Sequence, residues 1–573
     1  MALMPLCKRK SGIGGLSDGV HAKVQPFEEV GDLPVVPMVD KGGQAAYLDN
    51  LEIPDLIPGA DGFVAPESQI IKLPEVTIEE IRGSSKAAHD DPDAAEKREK
   101  IKEMTRHAWS NYVKYAWGHN ELKPLSKTFH DTDILGRVPL GATIVDSIDT
   151  LYIMGLEEEY KQAAKWIRDK LDFSNAVSGT RLFLDLPFER SLLNSGCFHP
   201  TEISVFEITI RFIGGLLSIY SMTKDRVFLD RAVSILDSLL PAFDTETGLP
   251  ASLFNLRTKK RRNFNWASNG CHILSEIGTL HMEFQFVSDL TGDIKYSQMV
   301  HRIRDYIEAA SKASDNQFRT HVSAKQKVFC NRRVTLSGEG DSFFEYLLKE
   351  WIRTGHADTK ARELYNRSLE SFERLNMLRT SKMGSFYVTD SQHGSPGNSM
   401  GHLACFAGGM FALGAEKQDT SDVWFLRGKQ VTETCRKSYA QTETNLGPES
   451  FRFTNNVDAM SVFKNEKLYL LRPETVESYF YMWRFTHDNV YREYAWDVVQ
   501  ALEKHCRSEG GFSGLKDVTI ATPTQDDVQQ SFFLAETLKY LYLIFCDDSV
   551  LPLNRWVFNT EGHPFPIMPR LTA

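Results

Sequence analysis

From about residue 93 onward the sequence repeats one kind of unit: an apolar helical stretch rich in small residues, a short polar break, then a helix with a polar outer face. The helical periodicity predicts segments near 143–170, 204–221, 227–240, 270–290, 295–312, 341–354, 358–375, 402–415, 422–440, 473–486, 490–507 and 528–546. Strand-like alternation is scarce and confined to connections. The breaks reuse one punctuation, as in Leu290-Thr291-Gly292-Asp293 and Phe485-Thr486-His487-Asp488. A single hairpin cannot bury its apolar helix alone, so about seven of them must stack. Runs such as Ile213-Gly214-Gly215-Leu216-Leu217 and Phe406-Ala407-Gly408-Gly409-Met410 suit close packing in an inner ring. A closed α/α barrel and an open solenoid both satisfy this pattern.

Residues 1–92 differ in kind. They are rich in Pro, Gly and Asp with little periodicity, apart from a weak stretch near Ile70 to Ile81, and read as an extended or disordered stem. Asp93-Ala94-Ala95-Glu96 fits a capping box opening a helix that runs to about Tyr115. The barrel domain is therefore expected over 93–573.

The inner helices carry residues that an apolar core does not tolerate singly: Asp146, Asp149, Glu207 with Arg211, Glu276, Asp341 with Glu345, His402, Glu474 with Glu477, and Glu536. Glu207, Asp341 and Glu474 each sit in or at the start of an apolar helix, more than a hundred residues apart. One such acid is ordinarily a cap or an internal ion pair; several on successive helices imply a shared polar cavity. The only evident cations among them are Arg211, Arg472 and His402. An acid-rich cavity with incomplete compensation suits glycosidic hydrolysis or a divalent ion. Trp556 to Pro564 adds Thr560, Glu561 and His563 in a turn-prone context. Sugar hydrolase, metal-dependent cyclase and binding protein with a polar barrel floor all remain open, although no DDxxD run favours the cyclase.

Composition removes other classes. A net charge of −10 argues against nucleic acid, and the basic run Arg257 to Arg262 reads as a solvated loop. No CxxC or Cys/His cluster has zinc spacing. Cys405 and Cys435 fall in neighbouring helices, where a bridge and two buried thiols are equally compatible with the spacing. The N-terminus is too short in apolar residues for a signal peptide, and the longest apolar run, Leu403 to Ala415, has about 13 residues, so the chain reads as soluble with no membrane segment.

Several local motifs are more specific. They include His107-Ala108-Trp109 with Gly118-His119-Asn120-Glu121-Leu122, Gly141-Ala142-Thr143-Ile144-Val145-Asp146, Gly401-His402-Leu403-Ala404-Cys405-Phe406, Leu471-Arg472-Pro473-Glu474-Thr475, the stretch Asp526 to Thr537, and Phe558-Asn559-Thr560-Glu561. On these, from roughly Met104 to Ile567, the chain resembles the family 47 glycoside hydrolases, the class I α-1,2-mannosidases that trim high-mannose N-glycans, and among them the Golgi type.

The resemblance implies an all-α (α/α)7 barrel with the active site at one end, and hydrolysis of terminal α-1,2-linked mannose with inversion. Inversion calls for carboxylates roughly 6.5 to 9.5 Å apart, with room for the attacking water. Glu474 would be the general base, and Glu207 the general acid acting through a water, with Asp341 the competing donor. Calcium would be held by the hydroxyl and carbonyl of Thr560, by waters and by sugar hydroxyls. Glu276, Glu477, Glu536 and Glu561 would orient those waters or the sugar, Phe532 would stack on it, and Arg211, His402 and Arg472 would bind it. Cys405 and Cys435 become a disulfide. The partners implied are high-mannose N-glycans on glycoproteins, acted on by a monomer in the secretory-pathway lumen, the Golgi first and the endoplasmic reticulum second.

Three features depart from the family pattern. About two dozen extra residues, near 176–201, precede Glu207. Glu339 stands two residues before Asp341, where the family has arginine or leucine. The membrane anchor usual in the family is not visible. Were the insertion to displace Glu207, the same barrel would serve as a glycan-binding quality-control factor with weak turnover or none.

Overall fold

The alternation of apolar and amphipathic helices resolves into two concentric layers. A computed structural model describes residues 70–83, 91–131, 135–173, 202–415 and 419–569; the stem up to residue 69 and the insertion at 176–201 lie outside the described residues. In chain order the barrel helices are α1 (Pro92–Ala116), α2 (Ala142–Ile153), α3 (Glu157–Lys170), α4 (Val205–Thr223), α5 (Arg226–Leu239), α6 (His281–Thr291), α7 (Lys295–Lys312), α8 (Asp341–Arg353), α9 (Thr359–Arg374), α10 (Ala407–Gly414), α11 (Val423–Ala440), α12 (Glu474–Thr486), α13 (Val490–Ala501) and α14 (Leu538–Ile544). Even-numbered helices form the inner ring and odd-numbered ones the outer. Each inner helix packs on the next, and the turn before α14 packs on α2, which closes the ring and excludes the solenoid. The first helix, α1, is the outer partner of the last, α14. The fold is thus the (α/α)7 barrel.

The hairpin punctuation has a physical basis. After α4, α6 and α12 the chain leaves the helix through a left-handed residue, Lys224, Gly292 or His487. The preceding Thr223, Thr291 or Thr486 accepts from the backbone N–H of Asp225, Asp293 or Asp488 at 3.1 to 3.3 Å. Each aspartate then caps the outer helix, accepting from the N–H two residues on. One Thr-x-Asp signature therefore ends the inner helix and starts the outer one.

Small residues permit the inner contacts. A Cβ on Gly215 would lie 2.6 Å from the carbonyl oxygen of Val145 in α2, and one on Gly214 would lie 2.6 Å from Asn559 Nδ2. Among the described residues α4 alone is long and apolar enough to cross a membrane, but 89% of it is buried inside the barrel, as befits a core helix.

Two expectations shift. Asp91, not Asp93, caps α1, because Pro92 occupies the first helical position and Asp91 accepts from the Ala94 N–H at 3.0 Å. The barrel unit also starts before residue 93: Ile71 donates its N–H to Asp289 O, and the short helix Ile78–Arg82 pairs Glu80 with Trp556 Nε1 at 2.7 Å and with Arg555 at 3.0 Å.

Among the described residues strands occur only as small ladders in the connections. The antiparallel hairpin of Trp556–Phe558 and Pro564–Pro566 fills the barrel axis. Phe558 meets Phe480 of α12 and Tyr540 of α14 at centroid distances of 5.5 and 5.6 Å, and Phe565 meets Phe286 of α6 at 5.1 Å. Its tip, Asn559 to Gly562, meets the acids of the inner helices through Asn559, which donates to Glu283, and Glu561, which is bonded to Arg211.

Candidate active site

The barrel places its acids at the N-termini of inner helices, where exposed N–H groups favour negative charge. Glu474 begins α12, Asp341 begins α8, and Glu207 lies in the first turn of α4 with its N–H capped by Ser204 Oγ at 3.2 Å. Glu276 sits in the short helix Leu274–Gly278, and Glu536 in the widened turn Phe533–Thr537 before α14. A second such π-type turn, Ile208–Ile213, follows Glu207 and carries Arg211.

Glu474 has the most determined surroundings. Its Oε2 lies 2.6 Å from His402 Nδ1, and His402 Nε2 lies 2.6 Å from the Tyr439 hydroxyl. Arg472 is clamped by Glu449 through two bonds of 2.7 and 2.6 Å. Burial alone would push the Glu474 carboxyl up, but the His402 hydrogen bond and the charges of His402 and Arg472 hold it below its ordinary value. Leu471, three residues earlier, is fully buried with φ 62°, a backbone that costs a bulky side chain about 1 kcal/mol or more and is fixed by Thr537 donating to its carbonyl at 2.6 Å.

Asp341 is shifted the other way. Burial, with the charges of Glu345 and Glu474, pushes it up to about 6 against a hydrogen bond from the Ser342 N–H. It too follows a left-handed residue, Glu339 at φ 84°. Glu339 accepts from Arg333 at 2.9 Å and faces His321 Nε2 at 3.0 Å, and these partners hold its carboxyl down although burial pushes it up.

Glu207 belongs to a buried ion network. Arg211 donates to its Oε2 at 2.9 and 2.8 Å, to Ser531 Oγ at 3.2 Å and to Asp146 at 3.3 Å, and is bonded to Glu561. The Phe532 ring centroid lies 5.7 Å from the guanidinium carbon. Behind this network His563 bridges Asp146 and Asp149 at 3.2 and 2.8 Å, and Lys539 joins Asp149 at 3.0 Å.

At the floor, Asn559 donates to Glu283 at 2.9 Å, and Tyr346 donates to the same oxygen at 2.7 Å. Burial pushes Glu276 and Glu283 up to about 7, and burial with neighbouring acids lifts Glu477 to about 8 despite Lys349. Burial, with the charges of Glu561, Glu474 and Glu477, raises Glu536 well above the usual range, and burial, with the charges of Asp146, Glu207 and Glu474, raises Glu561 likewise despite Arg211. The Oε2 atoms of Glu276 and Glu283 are buried without a hydrogen-bond partner. Uncompensated oxygens around the Thr560 turn fit a hard divalent cation such as calcium. The trio His281, Glu350 and Asp358 also lies within ligand range. There, however, Arg353 already pairs with Glu350 at 2.7 Å and Arg304 with Asp358 at 2.5 Å, so the charge a cation would supply is present.

Glu207, Arg211, Asp341, His402, Arg472, Glu474, Glu477, Phe532, Glu536 and Glu561, drawn from separate parts of the barrel, are linked by the bonds, ring contact and charges above; Glu276 joins them through the charge of Glu207, and Thr560 precedes Glu561 in the chain. Cys405 and Cys435 are bridged. Sequence reasoning missed Lys349 and Lys539, both fully buried, and the second disulfide, Cys271–Cys330. Lys349 stands one turn from Glu345 on α8, a spacing that signals an internal pair; Cys271 and Cys330 carried no such signal.

A sequence profile of glycosyl hydrolase family 47 matches residues 104–567. The chain is 46% identical over 498 residues to mannosyl-oligosaccharide 1,2-alpha-mannosidase IB of Homo sapiens, covering 87% of this chain and 74% of that protein. It is 47% identical to mannosyl-oligosaccharide alpha-1,2-mannosidase IA of Drosophila melanogaster, covering 85% and 70%. Among solved structures, the alpha-1,2-mannosidase from Trichoderma reesei superposes with a TM-score of 0.70 at 27% identity, covering 82% of this chain and 99% of that one.

Proposed function

We infer, from the premise that this chain belongs to glycosyl hydrolase family 47, that it is a 1,2-α-mannosidase releasing terminal α-1,2-linked mannose from mannosyl-oligosaccharides. The observation that carries a hydrolytic reading, beyond the relationship, is two neighbouring acids at helix N-termini held in opposite senses: Glu474, bonded to His402, is held low and Asp341 is pushed up to about 6. Environments that drive two carboxyls apart distinguish a base from an acid.

In our reading Glu474, ionised and oriented by His402, takes the proton from the attacking water. Water then reaches the anomeric carbon directly and the configuration inverts. Asp341 gives its proton to the departing glycosidic oxygen, and Glu207, committed through one oxygen to Arg211, orders the polar groups around that oxygen. Phe532 offers a ring face to the sugar, while Glu276, Glu477, Glu536 and Glu561 hold its hydroxyls or the waters around them. Calcium bound through Thr560 would supply a fixed positive charge that gathers sugar hydroxyls on the barrel floor. The substrates we propose are high-mannose N-glycans on glycoproteins, acted on by a monomer in the secretory-pathway lumen, the Golgi first and the endoplasmic reticulum second. Two disulfides support an oxidising compartment.

The test is digestion of an oligosaccharide ending in α-1,2-linked mannose, followed by NMR of the sugar first released. β-Mannose appearing before mutarotation supports the reading. Initial α-mannose would overturn inversion, and tight glycan binding with no release would make the chain a glycan-binding factor.

A further inference from the structure

At the edge of the catalytic end, outside the acid cavity, the segment 319–333 and the turn at Gln392 and His393 enclose an open cleft of about 650 Å³. Arg319, Arg332 and Arg333 line it, in a chain whose overall charge is −10. Arg333 is compensated by Glu339 at 2.9 Å and Asp390 at 2.7 Å. Arg319 is not compensated in this way: its Nε donates to the neutral Gln317 Oε1 at 3.2 Å. Arg332 is exposed at the surface. Both guanidiniums line the one cleft, and burial with the charge of Arg332 lowers the Arg319 pKa, which Asp315 offsets only in part.

The wall that holds them is rigid. Cys330 is bridged to Cys271, its N–H donates to His321 O at 2.7 Å, and Asn331 donates to Thr320 Oγ1 at 2.7 Å. Two arginines line this cleft, and among the described residues neither forms an ion pair with a carboxylate, so a bound anion would meet uncompensated charge there. Their planar forks match a tetrahedral oxyanion. Through Arg333, which pairs with Glu339, the same wall continues to the residue two before Asp341, so the cleft borders the proposed site on the side of that acid.

We propose that the cleft is an anion subsite for a phosphate or sulfate ester borne on a non-terminal sugar of the glycan, making Arg319 and Arg332 determinants of preference for anionic mannosyl-oligosaccharides. The proposal rests on the mannosidase reading above and names a substrate class within it.

The experiment compares kcat/KM for a neutral α-1,2-mannosyl-oligosaccharide with that for the same glycan esterified on one non-terminal mannose, with 6-phosphate in one arm and 6-sulfate in the other. At low ionic strength the anionic glycans should be favoured about fivefold, and salt or inorganic phosphate should erode the difference, as screening of a solvent-open pair requires. The double variant Arg319→Gln/Arg332→Gln should lose the preference while cleaving the neutral glycan at the wild-type rate. Should the double variant fold poorly, the exposed single change Arg332→Gln carries the same comparison. Equal rates for all three glycans in the wild type, or a preference surviving in the variant, would overturn the subsite. So would an equal advantage for a neutral glycan on an acidic peptide, because the arginines would then be reading the polypeptide. Failure of the mannosidase reading looks different: the neutral glycan releases no mannose.

Discussion

His402 Nδ1 lies 2.6 Å from Glu474 Oε2, and the other ring nitrogen lies 2.6 Å from the Tyr439 hydroxyl. The carboxylate that begins α12 is thereby oriented from the side by a ring that is itself pinned. An oriented base, more than a merely charged one, is what proton removal from water needs. Glu474→Gln should therefore lower kcat by roughly a hundred- to ten-thousand-fold while leaving the barrel folded. Mannose release, with circular dichroism as the folding control, checks it. Tyr439→Phe, which frees the far side of His402, should cost only about tenfold, the worth of one hydrogen bond.

If Asp341 is the proton donor, as proposed, it would set the alkaline limb of the reaction. A donor must be protonated, and burial places its carboxyl at about 6. The fraction of donor falls as pH rises through that value, so kcat/KM should decline about tenfold per pH unit above it. On the acid side activity should persist below pH 4.5, because Glu474 is held under its ordinary value. A kcat/KM profile flat from pH 5 to 8 would remove Asp341 from the donor role.

The floor acids link pH, calcium and stability. Burial raises Glu276 and Glu283 from 4.5 to about 7. For an acid whose folded pKa is raised, the stabilising contribution is full below the unfolded value and is lost as pH rises through the folded one. Chelator-treated protein should therefore lose thermal stability between pH 4.5 and about 7. Added calcium should reverse most of that loss, since a bound cation favours the ionised acids. Scanning calorimetry with chelator and with calcium reads both effects.

How much of this was legible beforehand follows from what each feature depends on. The seven hairpins were visible because apolar period and Thr-x-Asp punctuation are local properties of the chain. Ring closure was not, since it rests on the turn before α14 meeting α2 across nearly four hundred residues. Glu207, Asp341 and Glu474 stood out because a carboxyl in an apolar helix is costly wherever the chain goes. Lys349 and Lys539 did not, because a lysine in a helix ordinarily reads as a solvated stem, and only the packed barrel shows both buried against acids. Glu339 drew notice as an unusual residue, but its φ of 84° and its bonds to Arg333 and His321 are tertiary facts.

The last prediction concerns a buried network away from the acid cavity. Arg353, at the end of α8, is fully buried and pairs with Glu350 at 2.7 Å and Asp289 at 2.9 Å. Despite the arginine, burial with the charges of Asp358 and Asp289 leaves Glu350 raised to about 7, so the pair is only just sufficient. Arg353→Met would fill much of the same volume and remove the one guanidinium that offsets two acids. Breaking a buried pair from one side costs about 3 to 5 kcal/mol, because the remaining charge stays unpaired. Urea unfolding should show a loss of that order at pH 7. The double change Arg353→Met with Glu350→Gln should recover part of the loss at neutral pH, since it removes the stranded charge as well. A single variant as stable as the wild type at pH 7 would mean that the network contributes packing and not charge compensation.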